Sequence, residues 1–182
     1  MTATLFFLAA IAAADPARFR LAVHASGVAQ PSAVLGGAGI ALVVTVGAAL
    51  AGESVINWLS VSPESWRIAA GIVAGFTGVR RLVGGPPVAE PTLGSVPAAV
   101  IPAAFPILVT PVVLMLAVTG GVDLGFGNVV TGFGAALILG AAAAALVPDD
   151  GESRLWLAGS RFLAAILVLV AVVSIISGIA DI

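Results

Sequence analysis

The sequence predicts an all-α integral membrane protein with six transmembrane helices, and this prediction rests on its composition and on the spacing of its apolar segments. Of the 182 residues, 60% are hydrophobic and only 9% are charged, and the mean hydropathy is +1.21. A water-soluble domain carries about 25% charged residues, so this composition does not suit a water-exposed surface. We therefore expect a single transmembrane domain over residues 1–182.

Uncharged segments recur along the chain at lengths near those that cross a bilayer, which takes about 20 apolar residues. The N-terminus supplies the first predicted span. The later spans are separated by short loops that contain charges, glycine or proline, and they cover residues 32–51, 68–79, 98–119, 126–147 and 162–180.

The composition also excludes several classes of function. There is no cysteine, which removes disulfides and thiolate metal sites, and the net charge of −2 is too small to indicate a nucleic-acid partner. The single histidine, His24, has no accompanying metal-ligand spacing. We therefore expect no enzyme activity, no cofactor and no metal. The expected partners are a small solute or ion, the lipid bilayer and, through Gly/Ala-rich helix faces, a second copy of the chain.

The arginines predict the orientation in the membrane. All seven basic residues are arginine, and only Arg67 falls on the side opposite to the others. Because cytoplasmic loops are enriched in basic residues, we expect both termini on the non-cytoplasmic side of a bacterial inner membrane. The six arginines on the predicted cytoplasmic side are Arg18, Arg20, Arg80, Arg81, Arg154 and Arg161.

The first span is predicted to be interrupted at Asp15-Pro16. Fourteen helical residues rise by about 21 Å, less than the hydrocarbon thickness of about 30 Å, so Asp15 falls inside the membrane. An acidic residue followed by proline suits a helix N-cap and the first residue of a new helix, which predicts half-helices over 2–14 and 16–29. Two roles stay open for Asp15: a functional intramembrane acid, or a helix cap that pairs with Arg18 or another arginine.

The fourth span repeats this arrangement and predicts an inverted repeat. Thr110-Pro111 follows Asp15-Pro16 by 95 positions, and Arg161 follows Arg67 by 94 positions. Three spans per unit place two such units upside down relative to each other, as in many transporters. The predicted repeats cover about 1–83 and 98–182, with a linker over about 84–97. The alternative is that the prolines are kinks whose freed backbone groups are satisfied by neighbouring helices.

The candidate binding site lies where the two interruptions meet. The half-helices that begin at Pro16 and Pro111 direct unpaired N–H groups and positive dipole ends into the protein, an arrangement that suits an anionic group. The arginines at the starts of spans 3 and 6 are candidates for steering or pairing, with snorkelling to the interface as the alternative. The candidate residues are Asp15, Pro16, Thr110, Pro111, Arg67, Arg161 and Asn128.

With these features the chain resembles the MarC family of bacterial inner-membrane proteins, which is related at the level of the fold to LysE-type exporters. Family members carry an Asn-Pro-rich break in the first span, matched here by Asp15-Pro16. They also carry the pattern P-x-x-x-P-x-x-x-x-P in the fourth span, matched by Pro102, Pro106 and Pro111. An Arg-led, Gly-rich third span and an Arg-led last span are further similarities.

The resemblance implies six spans and a transport-like role, without defining a substrate. The departures fall at the candidate site, where Asp15 replaces the family asparagine and Thr110-Pro111-Val112 replaces a Gly-Pro-Gly. We therefore expect a small secondary transporter or exporter of a small solute or ion. The alternative class is a channel, or a structural or lipid-interacting membrane protein without transport activity.

Overall fold

The fold is that of a computed structural model, which describes residues 2–25, 31–85, 99–146 and 153–182. Within these ranges every regular element is helical. Beyond residue 85 the predicted linker lies outside the described residues, as do residues 26–29 of the second half-helix. The elements are α1 (Ala3–Ala14), α2 (Pro16–Ala25), α3 (Pro31–Leu50), α4 (Gly52–Trp58), α5 (Pro63–Val83), a π-helix (Ala99–Leu108), α6 (Pro111–Leu124), α7 (Phe126–Leu146) and α8 (Ser153–Ala180).

Proline and glycine set several of the helix boundaries. Four helices begin at a proline. Proline has no backbone N–H to donate, but an N–H in the first turn of a helix has no intrahelical acceptor, and the φ of proline suits a helix start. Helix α6 ends before Gly125, which adopts a φ of 80° that side-chain-bearing residues rarely reach. The four initiating prolines are Pro16, Pro31, Pro63 and Pro111.

Three of the described helices are long and apolar enough to cross a membrane: Pro31–Leu50, Phe126–Ala144 and Arg154–Ala180. The apolar helix Pro111–Leu124 is shorter than a span, because the chain is interrupted just before it. Helix α5 has 21 residues but carries one acidic residue and three arginines. The structure is therefore compatible with a membrane protein.

Helices α5 and α8 form the most extensive contact in the bundle. Glycines on α5 allow the two backbones to approach closely. A Cβ atom placed on Gly78 would lie 2.9 Å from the carbonyl oxygen of Ala164, and one on Gly71 would lie 3.0 Å from that of Ala171. Higher numbers on α5 therefore meet lower numbers on α8, and the two helices are antiparallel.

A line of mostly small, buried residues runs along the facing sides of both helices. Buried positions on α5 and on α8 follow one another at alternating intervals of four and three residues, the spacing of helices that pack side by side over a long distance. We call this contact the α5–α8 seam. Its residues are Gly71, Ala74 and Gly78 on α5 and Ala164, Leu167, Ala171, Ser174 and Gly178 on α8.

The remaining helices pack around this pair. Helix α3 contacts the π-helix, α6 and α7, and α7 lies along both α1 and α2. The ring of Phe6 packs edge-on against Phe133 of α7 at 5.8 Å between centroids. A side chain at Gly120 of α6 would collide with Phe6. These contacts hold α1 between α6 and α7.

We predict that the seam tolerates no added volume. Gly78→Ala should lower the free energy of unfolding by about 1–3 kcal/mol, the usual cost of overpacking, because the new methyl group would meet Val168 and Ala164. The measurement is thermal unfolding of the purified protein in detergent. Gly39→Ala on α3 is the matched control, since no atom lies within 4 Å of its added Cβ. Equal melting temperatures for the two variants would contradict the close approach.

Candidate functional site

The chain between α1 and α2 turns at Asp15. This residue adopts the left-handed conformation, with φ 46° and ψ 74°, which aspartate tolerates better than most residues. Its N–H donates to the carbonyl of Ile11, the last bond of α1, and its carbonyl accepts from the N–H of Phe19 in α2. Because Pro16 disfavours helical backbone at the preceding residue, α1 ends here. Asp15 thus joins two helices rather than continuing one.

Both carboxylate oxygens of Asp15 accept hydrogen bonds, and only 1% of the residue is exposed. Its Oδ1 accepts from the backbone N–H of Arg18 at 3.0 Å, which caps the start of α2. Its Oδ2 accepts from the hydroxyl of Ser160 in α8 at 2.6 Å. The predicted capping role of Asp15 is therefore present, and the side chain faces protein.

Arg81, near the end of α5, supplies the positive charge at this interruption. It is buried, and its Nη1 lies 3.6 Å from Oδ2 of Asp15. Its Nη1 also donates to the carbonyl of Ala12 at 2.9 Å, and its Nη2 to that of Ala13 at 3.0 Å. A helix ends with carbonyls that lack intrahelical donors and with a negative dipole end. One guanidinium therefore closes the end of α1 and pairs the acid that follows it.

The second interruption lies at Thr110-Pro111. The π-helix ends at Leu108, and Thr110 is extended, with φ −109° and ψ 157°. Its Oγ1 accepts from the N–H of Val113 at 3.5 Å, a weak cap of α6. As at Asp15, a polar cap followed by proline starts a new helix at this point.

The two interruptions lie at the same level of the bundle. The ends of α1 and α6 contact opposite ends of α5, at Arg81 and Arg67 respectively, so α1 and α6 run in opposite directions. Phe6 of α1 touches Gly120 of α6, and from these positions Asp15 and Pro111 are each nine residues, or about 13 Å, distant. Helix α1 packs against α6 and α2 against the π-helix. The interruptions are therefore flanked by neighbouring half-helices.

A second charged cluster closes the other end of α5. Arg67 binds Asp123, at the end of α6, through Nε at 2.9 Å and Nη2 at 3.0 Å. Its Nη1 binds Asp181, just beyond α8, at 2.5 Å. Arg67 precedes Arg81 by 14 residues, about 21 Å along the helix. The α5–α8 seam thus runs between two polar clusters, which we call the Asp15 cluster (Asp15, Arg81, Ser160) and the Arg67 cluster (Arg67, Asp123, Asp181).

The predicted site residues fall into four places. Asp15 lies in the Asp15 cluster and Pro16 directly follows it, with Thr110 and Pro111 level with them. Arg67 lies in the other cluster. Arg161 is exposed on α8, although the 94-residue spacing matched it with Arg67. Asn128 donates from Nδ2 to the carbonyl of Leu124 at 2.8 Å, and so satisfies the end of α6.

Sequence reasoning missed Arg81, Ser160, Asp123 and Asp181 as site residues. One pattern could have identified Arg81: the interval of four and three residues through Gly71, Ala74 and Gly78 continues to position 81, whereas Arg80 lies off that face. Arg80 is in fact exposed while Arg81 is buried. Ser160 stands four residues before Ala164 on the matching face of α8.

Within the described ranges, no group of three or more His, Cys, Asp or Glu residues could hold a metal ion. No family model, no curated protein and no solved structure matches the chain. The candidate site is defined by its own geometry. It offers a buried carboxylate, a buried guanidinium and a hydroxyl at the junction of two half-helices.

We predict that Arg81 is far more important for stability than its neighbour. Arg81→Gln should destabilise the fold by about 3–5 kcal/mol, because it leaves the Asp15 carboxylate buried without its counter-charge. Arg80→Gln, at an exposed position, should change stability by less than about 0.5 kcal/mol. Thermal unfolding in detergent measures both variants.

The double variant Asp15→Asn/Arg81→Gln should recover part of the loss, since it removes both charges. If Arg81→Gln and Arg80→Gln unfold at the same temperature, the Asp15–Arg81 pair contributes nothing to stability.

Proposed function

We propose that the protein is a small secondary transporter or exporter of a small solute or ion, and that its site lies at the Asp15 cluster. The observation that carries the proposal is the buried Asp15–Arg81 pair at a helix interruption that is level with a second interruption. Charge buried at such a place is costly and, in membrane proteins, usually functional. A helix cap needs neither the charge of Asp15 nor that of Arg81, since serine, threonine or asparagine would serve.

The chemistry of the cluster suits exchange of partners. Neutralisation of Asp15 by a proton, or replacement of Arg81 by a cation, would free the guanidinium. An anionic group would instead compete with Asp15 for Arg81, assisted by the N-terminal end of α2. Any of these changes would loosen the contact of α1 and α2 with α5 and α8. Binding at the site is thereby coupled to helix packing.

The positions of the Arg67 cluster and the Asp15 cluster support a mechanism in which the two ends of the helix bundle close in turn. The Arg67 cluster ties the ends of α6 and α8 to the start of α5, and the Asp15 cluster ties α1 and α8 to its end. Between them the seam is built mainly of glycine and alanine, with Leu167 and Ser174 on α8 and no charged residue. In the described part of the chain these clusters are separated by that seam and form no continuous polar path. This favours a transporter over an open channel.

The packing pattern supports six spans in two inverted repeats. In this proposal α1 with α2, α3 and α5 form the first repeat, and the π-helix with α6, α7 and α8 form the second. Helix α2 contacts α7 as α6 contacts α3, and α2 contacts α8 as α6 contacts α5. The antiparallel α5 and α8 would then lie on either side of the pseudo-two-fold axis, which relates one to the other. Inverted repeats with broken helices occur in many secondary transporters.

The location that fits this function is the bacterial inner membrane, with both termini on the non-cytoplasmic side. Membership of the MarC family stays a prediction. The second candidate class is a structural or lipid-interacting membrane protein, for which the Asp15 cluster would only hold the interrupted helix together. Flux measurements separate the two.

We predict that Asp15→Asn removes pH-dependent or cation-dependent transport in a protein that still folds, with a lower melting temperature because Arg81 loses its counter-charge. The single amide oxygen of asparagine can still accept from the N–H of Arg18, and its NH2 group can donate to the hydroxyl oxygen of Ser160, but the side chain carries no charge. The measurement is flux into proteoliposomes across a panel of amino acids and inorganic ions. Glu53→Gln, an exposed acid on α4, is the control.

Two results would contradict different parts of the proposal: the role of Asp15, and transport itself. A stable Asp15→Asn protein with an unaltered flux profile would remove Asp15 from the mechanism. Failure of the unaltered protein to move any member of the panel, in either direction of an imposed gradient, would instead favour the structural class.

We also predict the orientation of the chain. Cysteine introduced at Gly85, which is exposed after α5, should react with an impermeant maleimide only from the cytoplasmic side. Cysteine at Ser54, exposed on α4, should react only from outside. The chain has no other cysteine, so each label reports one position. The opposite pattern of labelling would reverse the orientation, and labelling of both from one side would contradict the span count.

A further inference from the structure

The α5–α8 seam holds its two helices together along most of the length of α5. The close approaches at Gly71 and Gly78 continue to the start of α5, where a Cβ atom on Gly178 would lie 2.9 Å from the carbonyl oxygen of Glu64. Backbones this close cannot slide past each other without a clash, because protein interiors are densely packed. We call α5 and α8 together the seam pair.

The other helices are joined to one another in the same way. A Cβ atom on Gly121 of α6 would collide with the carbonyl oxygen of Ala49 in α3, and one on Gly52 of α4 would lie 3.2 Å from that of Val118 in α6. Helix α7 packs against α1, α2, α3 and α6, and the π-helix packs against α3 and α2. We call this second group of helices the main bundle. It consists of α1, α2, α3, α4, the π-helix, α6 and α7.

The seam pair contacts the main bundle less closely. A Cβ atom on Gly159 of α8 would lie 3.6 Å from the Cβ of Ala17 in α2, which is an ordinary van der Waals distance. A cleft of about 500 Å³ lies between the same two helices. In the middle of the boundary, buried apolar side chains from both groups share one core. The boundary is therefore formed by side chains, and it is incompletely filled beside α2.

Polar bonds join the seam pair to the main bundle at the two ends of α5. Arg67 binds Asp123 at the end of α6. At the other end, Arg81 and Ser160 both contact the carboxylate of Asp15. A polar bond can be exchanged for a bond to water or to a solute at a small net cost, whereas a close contact between two backbones has no such substitute.

Arg67 is suited to this exchange because it has one partner in each group. Asp123 belongs to the main bundle, whereas Asp181 stands just beyond α8 and belongs with the seam pair. If the main bundle moves away with Asp123, Arg67 keeps Asp181 as its counter-charge. The boundary can therefore open at this end without leaving the guanidinium unpaired.

We propose that the seam pair moves as one rigid body against the main bundle, and that this movement opens the Arg67 cluster and the Asp15 cluster in turn. The proposal rests on the proposed function, because it names the motion that exposes the site. Movement of a rigid unit across an interface is a common form of conformational change. Here the close backbone contacts lie within the two groups, and the exchangeable bonds lie between them.

The motion is tested by measuring distances between pairs of spin labels with pulsed electron paramagnetic resonance. The labels are attached to introduced cysteines, since the chain has none of its own. One label pair crosses the boundary, at Ser54 on α4 and Ile176 on α8. The matched pair lies within the seam pair, at Ser65 on α5 and Phe162 on α8. All four positions are exposed.

Two variants separate the two partners of Arg67. Asp123→Ala removes the bond across the boundary, so it should lengthen or broaden the Ser54–Ile176 distance distribution and leave the Ser65–Phe162 distribution unchanged. Asp181→Ala is the control, because it removes a bond within the seam pair and should change neither. If Asp123→Ala shifts both distributions, or neither, the division into two rigid bodies is overturned.

The use of this motion in transport is tested with disulfides. Ala17→Cys/Gly159→Cys crosses the boundary, and Gly75→Cys/Ala171→Cys lies within the seam pair. The Cβ atoms of these pairs would lie 3.6 and 3.4 Å apart, close to the mean of about 3.8 Å for disulfides. Oxidation should stop proteoliposome flux in the first variant, reduction should restore it, and the second variant should transport in both states.

The outcomes distinguish this proposal from the proposed function. Undiminished flux through the oxidised Ala17→Cys/Gly159→Cys protein would overturn the motion as part of transport. If the unaltered protein moves no member of the panel of amino acids and inorganic ions, the proposed function fails, and the spin-label distances still decide whether the seam pair moves as one body.

Discussion

The close approach of α5 and α8 is the constraint on which the other features of the structure depend. Glycines at positions 71 and 78 let the α5 backbone come within reach of carbonyls on α8. That distance brings Arg81 and Ser160 close enough to share one carboxylate, and it brings Asp181 to Arg67. In lipid there is little hydrophobic force between helices, so packing and polar contacts of this kind must hold them together. The seam and its two polar ends form one unit for that reason.

The interrupted first helix shows how the fold accommodates polar backbone away from water. Helix α1 ends with carbonyls that have no helical donor, and Pro16 offers none. Unsatisfied groups of this sort cost several kcal/mol in hydrocarbon. Arg81 satisfies two of them and also neutralises Asp15. The same side chain thus serves the helix end and the buried carboxylate, so a change at Arg81 alters both contacts at once.

The local features of the fold were predictable because adjacent residues encode them. A capping residue followed by proline marks both interruptions, and mean hydropathy marks the membrane class. The two polar clusters were harder to predict from the sequence. Asp15 and Ser160, for example, are 145 positions apart, and only packing brings them together. A shift of one residue decides each outcome: Arg81 and Ser160 fall on the seam faces, while their neighbours Arg80 and Arg161 are exposed. The matching of Arg67 with Arg161 by spacing alone could not reveal this difference.

The dependence of α1 on Arg81 has a consequence for biosynthesis. Ala12 emerges from the ribosome 69 residues before the arginine that binds its carbonyl, and Ser160 emerges later still. Helices α1 and α2 therefore reach the insertion machinery before the contacts at their interruption can form. They can settle in their final place only when α5 arrives, and they are fixed only after α8. A chain truncated before α5 should leave α1 and α2 as a substrate for quality-control proteases, and the order of translation thereby becomes part of the folding pathway.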